Sequence, residues 1–407
     1  MVLYNTLTRC KEQFKTADGS DTVRIYSCGP TVYSSPHIGN VSAYIFVDVL
    51  KKTLEFARFK VHDVMNITDV GHLVSDEDEG EDKIEKAARA QKITPQQIAE
   101  RYTAEFFSDC AKLNIRPPKI LCKASEYIPQ MIEFIKKLEK KGFTYKTSDG
   151  LYFDSSKFPD YEKLTGPRAS GNRAGERVNM GEKRGAQDFA LWKFVGENTL
   201  QKWESPWGVG CPGWHIECSV MAHKHLSEPF ANPTFDIHTG GIDHIPVHHT
   251  NEIVQTESVT GAPMCNFWCH NEHIKVDGGK MSKSLGNIYT ISDLERRGFS
   301  PMAYRYYNLL KSYRTMLNFT FDGLTAAQTA YNKICERLAK HKTAPSGGAA
   351  AKETATALLA EFKEAVTDDL ATPRAIATLQ KAIKQPLSRE IYDVVLTMDK
   401  VLSLGLK

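Results

Sequence analysis

Hydrophobic and polar positions near the start of the chain form blocks that predict a strand, a turn, a helix and a second strand. Residues 23–27 make a short β-branched and aromatic run, and the turn residues 28–30 follow it. Apolar residues recur at helical spacing over 43–56, and a second β-branched run covers 59–65. This alternation predicts an α/β fold with a doubly wound parallel sheet, in which ligands bind at the carboxyl ends of the strands.

The pattern changes in the middle of the chain. Between residues 110 and 210 a helical stretch precedes Gly- and Arg-rich turns, which predicts an insertion between two halves of the sheet. The strand pattern resumes at 235–238, and the chain is mainly helical after residue 300. A segment rich in Ala, Gly, Ser and Pro at 343–352 predicts a linker. Helices are predicted over 128–141, 353–366 and 375–383.

Composition is that of a globular protein and excludes several classes. The chain has 407 residues, 41% of them hydrophobic and 25% charged, which allows two or three domains. No apolar run reaches the roughly 18 residues of a membrane span, and the N-terminus lacks a charged-then-apolar leader, so we expect a cytoplasmic protein without a membrane partner. The net charge of +3 does not by itself indicate a nucleic-acid partner.

Cysteine and histidine usage indicates metal chemistry. Nine cysteines without regular spacing predict reduced thiols, and nine of the thirteen histidines fall between residues 215 and 273. His248 and Glu252 lie four apart at helical spacing, so both side chains project from one face and suit a single ion. Zinc usually takes four ligands, and Cys28 and Cys218 are the best candidates for the other two, although spacing alone does not select them.

The remaining cysteines are predicted to be structural. Cys28 ends a strand, and Cys218 closes the segment 213–218, which is predicted to run from a strand into a turn. Cys265 and Cys269 could suggest a second metal site, but no matching pair follows and the aromatic residues between them indicate a core strand. The sequence therefore predicts one metal site.

Two polar motifs roughly 240 residues apart predict a second kind of site. Residues 37–40, His-Ile-Gly-Asn, place an imidazole, a glycine without a side chain and an amide near the start of a helix. The dipole of the helix favours anions at this end. Residues 280–284, Lys-Met-Ser-Lys-Ser, place two ammonium groups in a loop. Together the motifs predict a split clamp for a triphosphate.

This pair of motifs resembles the class I aminoacyl-tRNA synthetases, which activate an amino acid with ATP and Mg²⁺. The resemblance implies attack of the substrate carboxylate on the α-phosphorus, which needs fixed donors and cations rather than a protein nucleophile. Asn40 stands where the family more often has a second histidine, and its amide is also a donor. The expected catalytic residues are His37, Asn40, Lys280 and Lys283. The expected ATP-binding residues are His37, Gly39, Asn40, Gly241, Asp243, Lys280, Lys283 and Ser284.

Three further segments resemble the cysteinyl-tRNA synthetases: 28–33 (CGPTVY), 213–219 (GWHIECS) and 248–252 (HHTNE). The resemblance implies that zinc binds the substrate thiolate, with Gly29, Thr68 and Trp214 lining the substrate pocket. Trp214 could instead be a core residue. The sequence departs from the family at Thr250, where glutamate is commoner, and over 242–247. The implied zinc ligands are Cys28, Cys218, His248 and Glu252.

A thiophilic ion suits this substrate. Serine differs from cysteine only by oxygen for sulfur, and apolar contacts discriminate by only about 10- to 200-fold per small group. Zinc takes a thiolate readily and a hydroxyl poorly. Selection at the first step would make a separate editing domain unnecessary, which agrees with an insertion of roughly one hundred residues.

The helical half resembles the family's tRNA-contacting bundle at 313–319 and 368–373. Members usually continue into a small C-terminal domain that helps to read the anticodon, and this sequence ends at Lys407. The expected division is a Rossmann-like catalytic domain in two halves (1–109 and 211–299), a connective insertion (110–210), a helical stem-contact region (300–342), a linker (343–352) and a helical tRNA-binding region (353–407).

The expected activity is formation of cysteinyl-adenylate and transfer of cysteine to the terminal adenosine of tRNA(Cys) by a monomer. One alternative is a related ligase that joins cysteine to an amino sugar in mycothiol synthesis and keeps the zinc and ATP motifs. Residues 28–33 favour the synthetase, since those ligases more often carry Ile-Thr-Pro-Tyr-Asp there. Another alternative is a regulatory paralogue without catalysis, against which the intact His37, Lys280 and Lys283 argue.

Overall fold

The computed structural model describes residues 1–71, 82–166, 181–282 and 286–407. The strands are β1 (Val2–Asn5), β2 (Cys10–Gln13), β3 (Thr22–Ser27), β4 (Lys60–Ile67), β5 (Ile120–Lys123), β6 (Thr144–Lys146), β7 (Gly150–Phe153), β8 (Phe189–Phe194), β9 (Gly210–Pro212), β10 (Phe235–Gly241), β11 (Cys265–Asn271), β12 (Ile274–Val276), β13 (Gly279–Lys280) and β14 (Leu317–Phe319). The α-helices are Ile38–Phe56, Lys83–Gln91, Pro95–Lys112, Ile128–Lys140, Trp214–Ala222, Thr250–Thr260, Ile291–Arg296, Pro301–Leu309, Phe321–Lys342, Gly348–Thr367, Thr372–Ile383 and Arg389–Leu402.

A five-stranded parallel sheet is built from strands that lie between Thr22 and Asn271. Its strand order is β11-β10-β3-β4-β5, and every neighbouring pair is parallel. The order reverses direction between β3 and β10, which is the place where doubly wound sheets bind their ligands. Cys28 follows β3 there, and its N–H donates to Thr239 O of β10 at 3.2 Å. The predicted fold class is confirmed.

The first long helix begins earlier than the apolar spacing predicts. It covers Ile38–Phe56, because the side chains of His37 and Asn40 form a reciprocal capping box at its N-terminus. Upstream, Gly29 touches β4 so closely that a Cβ there would lie 1.6 Å from Asn66 O. Glycine at this position therefore lets the loop after β3 lie against its neighbour strand.

The predicted insertion needs a correction at its start. Strand β5 falls within the range 110–210, yet it pairs in parallel with β4 and its Cys122 is fully buried. Its four residues are too few to show a strand pattern in the sequence. The remainder of the range that the structure describes includes the helix Ile128–Lys140 and a four-stranded antiparallel sheet, β6-β7-β8-β9.

The predicted linker also needs a correction. The helix Gly348–Thr367 begins within 343–352, because the alanines after Gly348 are strong helix formers and the helix packs through Leu358 and Phe362. Gly347 N donates to Glu390 Oε2 at 2.9 Å, which fixes the turn against the last helix. The helices at the end of the chain form one apolar core, including Leu338, Phe362, Leu379 and Val395.

A buried ionic cluster joins the sheet to this helical core. Asp48, on the first long helix, accepts from Arg305 at 2.6 Å, from Lys52 at 2.7 Å and from the N–H of Arg116 at 3.0 Å. Arg305 also donates to Leu402 O and Leu113 O. We call these side chains, Asp48, Lys52 and Arg305, the Asp48 cluster. It crosslinks segments that are far apart in the sequence.

A second junction involves a segment expected to contact tRNA. The carboxylate of Asp369 is almost completely buried, and it accepts from Tyr4 N at 2.9 Å, Tyr313 Oη at 2.7 Å and Arg314 Nε at 2.9 Å. Both Asp369 and Leu370 have left-handed backbone angles, with φ of 53° and 51°. The carboxylate of Asp369 is thus committed to contacts within the chain.

In the parts of the chain that the structure describes, no helix combines the length and the apolar character needed to cross a bilayer.

Candidate active site

Four potential metal ligands meet at the carboxyl edge of the parallel sheet. Cys28, Cys218, His248 and Glu252 each offer one donor atom, and these atoms all lie within 4.8 Å of one another. Cys218, His248 and Glu252 are buried, and Cys28 is partly exposed. The structure therefore brings together the four ligands that the sequence and the resemblance predict.

His248 and Glu252 come from one continuous helical segment. His248 lies in the π-helical turn Ile245–His249, and Glu252 lies in the first turn of the helix Thr250–Thr260 that continues it. His248 Nε2 is 3.1 Å from Glu252 Oε1, as the i, i+4 spacing predicts. The other ring nitrogen, Nδ1, is 3.0 Å from His215 Nδ1, which leaves Nε2 as the ligand atom.

Cys218 lies on a helix, which corrects the predicted strand-to-turn segment. Strand β9 ends at Pro212, Gly213 is the N-cap, and the helix covers Trp214–Ala222. Every residue of this helix after Trp214 is buried, so it lacks the polar face by which a helix is recognised in a sequence.

The donor set fits zinc. Two thiols, an imidazole and a carboxylate are ligands that Zn²⁺ takes in proteins. Glu252 is fully buried, and its Oε1 faces His248 Nε2, so the carboxylate points into the ligand set rather than to solvent. A buried carboxylate is costly unless it is paired, and coordination to a cation would offset that cost at Glu252. The residues present therefore suit the ion that the resemblance implies.

Protonation within the ligand set favours a cation. A hydrogen bond from the Cys28 thiol lowers the pKa of Cys218 to about 6. Burial raises the pKa of Cys28 well above its usual value, and the neighbouring Cys218 adds to the effect. Burial would raise the pKa of Glu252, but His238 and His248 outweigh it and lower the pKa to about 2. The site thus holds a thiolate and a carboxylate in a buried place.

A second group of side chains overlaps the first. Cys28, His238, His249 and Glu252 also place donor atoms within 4.8 Å of one another. His238 Nε2 is 2.9 Å from Glu252 Oε2, and His249 Nδ1 is 2.7 Å from His270 Nε2. These histidines hold the ligands from outside, as outer hydrogen-bond partners commonly do at metal sites. The sequence analysis missed that role, although the crowding of histidines between 215 and 273 was its signal.

The three residues expected to line the substrate pocket lie beside the ligand set. Trp214 is partly exposed and stacks on His248, with ring centroids 4.3 Å apart and planes 30° apart. Thr68 is buried, and its hydroxyl accepts from Asn66 Nδ2 at 3.1 Å. The N–H of Gly29 donates to Asn66 Oδ1 at 2.8 Å. Asn66 therefore positions both Thr68 and Gly29.

Glu217 is a site residue that the sequence analysis missed. It is fully buried one residue before Cys218, and the Thr68 side chain is the one hydrogen-bonding contact of its carboxylate among the described residues. Burial raises the pKa of its carboxyl well above the usual value, and the charges of Cys218 and Asp69 raise it further. A single glutamate in an apolar helix gives no signal in a sequence.

The described residues of the two motifs expected to bind phosphate approach each other at the start of the first long helix. His37 Nδ1 accepts from the N–H of Asn40 at 3.2 Å, so the proton of a neutral ring lies on Nε2 and can be donated. The Asn40 Oδ1 accepts from the N–H of His37 at 3.1 Å, which leaves its amide N–H groups as donors. Ile38 N donates to Tyr289 O at 2.8 Å, just beyond the lysine-serine loop.

Met281 of the lysine-serine motif lies directly over Gly39. A Cβ on Gly39 would be 2.5 Å from Met281 Cε, so only glycine allows this approach without a shift of Met281. Lys280 is exposed at the end of β13, where its carbonyl accepts from Asn287 Nδ2 at 3.1 Å. Lys283 and Ser284 lie outside the described residues.

Two of the expected ATP-binding residues, Gly241 and Asp243, lie at the end of β10. Gly241 is the last residue of the strand. Asp243 is exposed, and its Oδ1 would be 2.3 Å from a Cβ on Gly241. Glycine at 241 therefore leaves room for the Asp243 carboxylate at the carboxyl edge of the sheet, where Cys28 also lies.

Comparison with known proteins places the site in a family. Residues 14–329 match the profile described as tRNA synthetases class I (C) catalytic domain. Cysteine–tRNA ligase 1 of Burkholderia lata is 44% identical over 413 residues, covering 100% of this chain and 85% of that protein. The cysteine–tRNA ligases of Treponema denticola and Thermus thermophilus are each 42% identical, covering 99% and 93% of this chain and 86% and 78% of their own lengths.

Solved structures support the fold. Methionyl-tRNA synthetase of Mycobacterium tuberculosis, in complex with methionyl-adenylate, superposes with a TM-score of 0.65 at 15% sequence identity. The match covers 94% of this chain and 90% of that one. At this identity the likeness establishes the architecture of a class I synthetase and nothing about the substrate.

Proposed function

Because the chain belongs to the cysteine–tRNA ligase family of class I synthetases, we propose that it activates L-cysteine with ATP and transfers cysteine to tRNA(Cys). In the first step a carboxylate oxygen of cysteine bonds to the α-phosphorus of ATP, and pyrophosphate leaves. In the second step a hydroxyl of the 3′-terminal adenosine bonds to the carbonyl carbon, and AMP leaves. The observation that carries the choice of cysteine is the meeting of two thiols, an imidazole and a carboxylate within 4.8 Å.

Cys28, Cys218, His248 and Glu252 would hold one Zn²⁺ ion. When bound, the ion supplies a thiophilic Lewis acid that prefers a thiolate to the hydroxyl of serine. Trp214, stacked on His248, would form one wall of the pocket for the amino acid. The outer histidines would keep the ligands in place, because His238 holds the second oxygen of Glu252.

The triphosphate would lie between the helix start and the lysine-serine loop. His37 and Asn40 would donate to phosphate oxygens, since the capping box holds both side chains at the start of the helix. Lys280 would neutralise phosphate charge, and Asp243 would accept from the ribose hydroxyls. The motif assigns Lys283 and Ser284 to the same clamp, with Mg²⁺ accompanying ATP.

In this proposal the tRNA-binding surface is formed by the helical regions 300–342 and 353–407. The protein would act as a monomer. Asp369 would stabilise this surface without contacting the tRNA, because its carboxylate already accepts hydrogen bonds from Tyr4, Tyr313 and Arg314.

The test is transfer of radiolabelled cysteine to purified tRNA(Cys), run beside the amino-sugar acceptor of mycothiol synthesis under the same ATP and Mg²⁺ conditions. Charging of tRNA is the expected result. Transfer only to the sugar would move the protein to the amino-sugar ligases, and absence of cysteine-dependent exchange of pyrophosphate into ATP would identify a paralogue without catalysis. A tRNA charged equally well with serine would contradict the role of the thiol ligands.

A further inference from the structure

Glu217 is a buried acid in the pocket to which the proposed chemistry gives no task. It lies on the helix Trp214–Ala222 directly before a metal ligand and has no exposed surface. The Thr68 side chain is the one hydrogen-bonding contact of its carboxylate among the described residues, and His248 and Asp69 lie within electrostatic reach.

The surroundings of Glu217 lack the lysine or arginine that buried carboxylates commonly pair with. Buried carboxylates in proteins are usually paired or hydrogen-bonded, because an ionised group without a partner is costly away from water. Among the described groups that act on Glu217, Cys218 and Asp69 add negative charge, and the positive influence comes from the imidazole of His248, itself one of the four metal ligands, with no lysine or arginine taking part. A carboxylate with so few donors favours a further, positively charged one.

The proposed substrate carries such a donor close to its sulfur. In cysteine, only two carbon atoms separate the sulfur from the amino nitrogen. A cysteine whose sulfur is held at the ligand set of Cys218 and His248 therefore keeps its ammonium group near the set. Glu217 precedes Cys218 on the same helix, and its carboxylate contacts Thr68, so both lie close to the ligand set.

We propose that Glu217 binds the α-ammonium group of the amino-acid substrate. This inference rests on the proposed function, since it takes cysteine as the ligand. The ammonium group would donate to the Glu217 carboxylate, which has only the Thr68 side chain as a hydrogen-bonding contact among the described residues. Glu217 would then select α-amino acids, while the metal ligands select sulfur.

The experiment compares two thiols that differ only in the amino group: L-cysteine and 3-mercaptopropionate. Their dissociation constants are measured by calorimetry on the zinc-loaded full chain without ATP, for the wild type and for Glu217→Gln. A charge-assisted hydrogen bond supports a preference of the wild type for cysteine of about 10- to 100-fold. The variant should lose most of that preference by weakening cysteine, with its affinity for 3-mercaptopropionate unchanged.

A control variant separates a binding role from a structural one. Asp109→Asn removes another buried carboxylate that has an oxygen without a partner, but it lies on the helix Pro95–Lys112, away from the ligand set. This variant should keep the full preference for cysteine. Zinc content and melting temperature are measured for every variant, so that loss of the ion or of the fold is visible.

Three outcomes overturn the inference or its premise, and they are distinct. Equal loss of both thiols in Glu217→Gln, with zinc retained, would assign the residue a structural role. A wild type that binds the two thiols equally well would overturn the inference even if the variant did not fold. A wild type that binds 3-mercaptopropionate or cysteine without cysteine-dependent pyrophosphate exchange would instead contradict the proposed function.

Discussion

The metal pocket and the Asp48 cluster both bury carboxylates, and they treat them in opposite ways. Asp48 receives three donors, from Arg305, Lys52 and the backbone of Arg116. Although burial raises the pKa of Asp48, Arg305 and Lys52 outweigh it and hold the pKa below the usual value. Glu217 has only the Thr68 side chain as a hydrogen-bonding contact among the described residues, and burial raises the pKa of its carboxyl well above the usual value. In the Asp48 cluster the carboxylate is paired within the chain, whereas a binding pocket leaves part of its polar surface to a ligand.

The largest effect should follow from removing a thiol from the pocket. Cys218→Ser replaces a soft zinc ligand by a hydroxyl, and even outer partners of a metal ligand are worth about 10- to 100-fold. We expect loss of bound zinc and a fall of more than about 1000-fold in kcat/KM for cysteine in pyrophosphate exchange. Metal analysis and exchange kinetics measure both. Cys122→Ser, in β5, is the control, and unchanged zinc in Cys218→Ser would contradict the ligand assignment.

The Asp48 cluster should respond in stability rather than in ligand binding. Arg305→Met leaves Asp48 buried with one cation fewer and removes the donors to Leu402 O and Leu113 O. Breaking a buried pair in this way costs about 3–5 kcal/mol of unfolding free energy. Urea unfolding measures the loss, and the affinity for cysteine of the folded fraction should not change. The control is Arg337→Met, because the guanidinium of Arg337 is partly buried. A loss of unfolding free energy below about 1 kcal/mol in Arg305→Met would contradict the stabilising role of the Asp48 cluster.

Lys280 should matter to the chemical step and not to the amino acid. Lys280→Ala removes a cation from the clamp, and the loss of one well-placed donor costs about 3–4 kcal/mol in the transition state. We expect kcat for pyrophosphate exchange to fall by about 100- to 1000-fold with cysteine binding unaltered. Calorimetry with cysteine alone and steady-state exchange separate the two. Lys275→Ala, on the neighbouring strand β12, serves as the control.

The smallest effect is expected at a buried carboxylate that belongs to neither the metal pocket nor the Asp48 cluster. Asp109 is a buried carboxylate outside the pocket with one oxygen lacking a partner, and burial raises its pKa to about 6. Between its usual value near 4 and about 6, the folded protein holds a proton that the unfolded chain has released, so stability falls as the pH rises through this window. Asp109→Asn should remove that fall and be more stable by about 1–2 kcal/mol at pH 7.5. Thermal unfolding between pH 4 and 8 would show parallel curves if Asp109 did not titrate in this way.

The sequence predicted the sheet and the ligand set for different reasons. The sheet follows from the strand and helix periodicities around Cys28, which depend only on local burial. His248 and Glu252 followed from i, i+4 spacing, but Cys28 and Cys218 were selected by the family resemblance, because contacts between distant segments leave no mark in spacing. Glu217 could not be predicted, because its distinguishing feature is the shortage of hydrogen-bond donors around its carboxylate. That shortage depends on the three-dimensional surroundings and not on the local sequence.

The misplaced boundaries have physical causes as well. The first long helix starts at Ile38 because polar side chains cap it, and a search for apolar periodicity passes over such residues. The helix carrying Cys218 is buried on all sides, so its pattern resembles a strand. The helix after Gly348 begins in a stretch whose Gly, Ser and Pro hid the helix-forming alanines.

The wide spacing of the metal ligands has a consequence for how the protein is made. Cys28 and Glu252 are separated by 224 positions in the chain. At a synthesis rate of about 5–20 residues per second, the ribosome needs roughly 10–45 s to pass from the first ligand to the last. The nascent chain therefore carries an uncoordinated thiol for that time, and zinc can be acquired only when the second half of the sheet has left the ribosome.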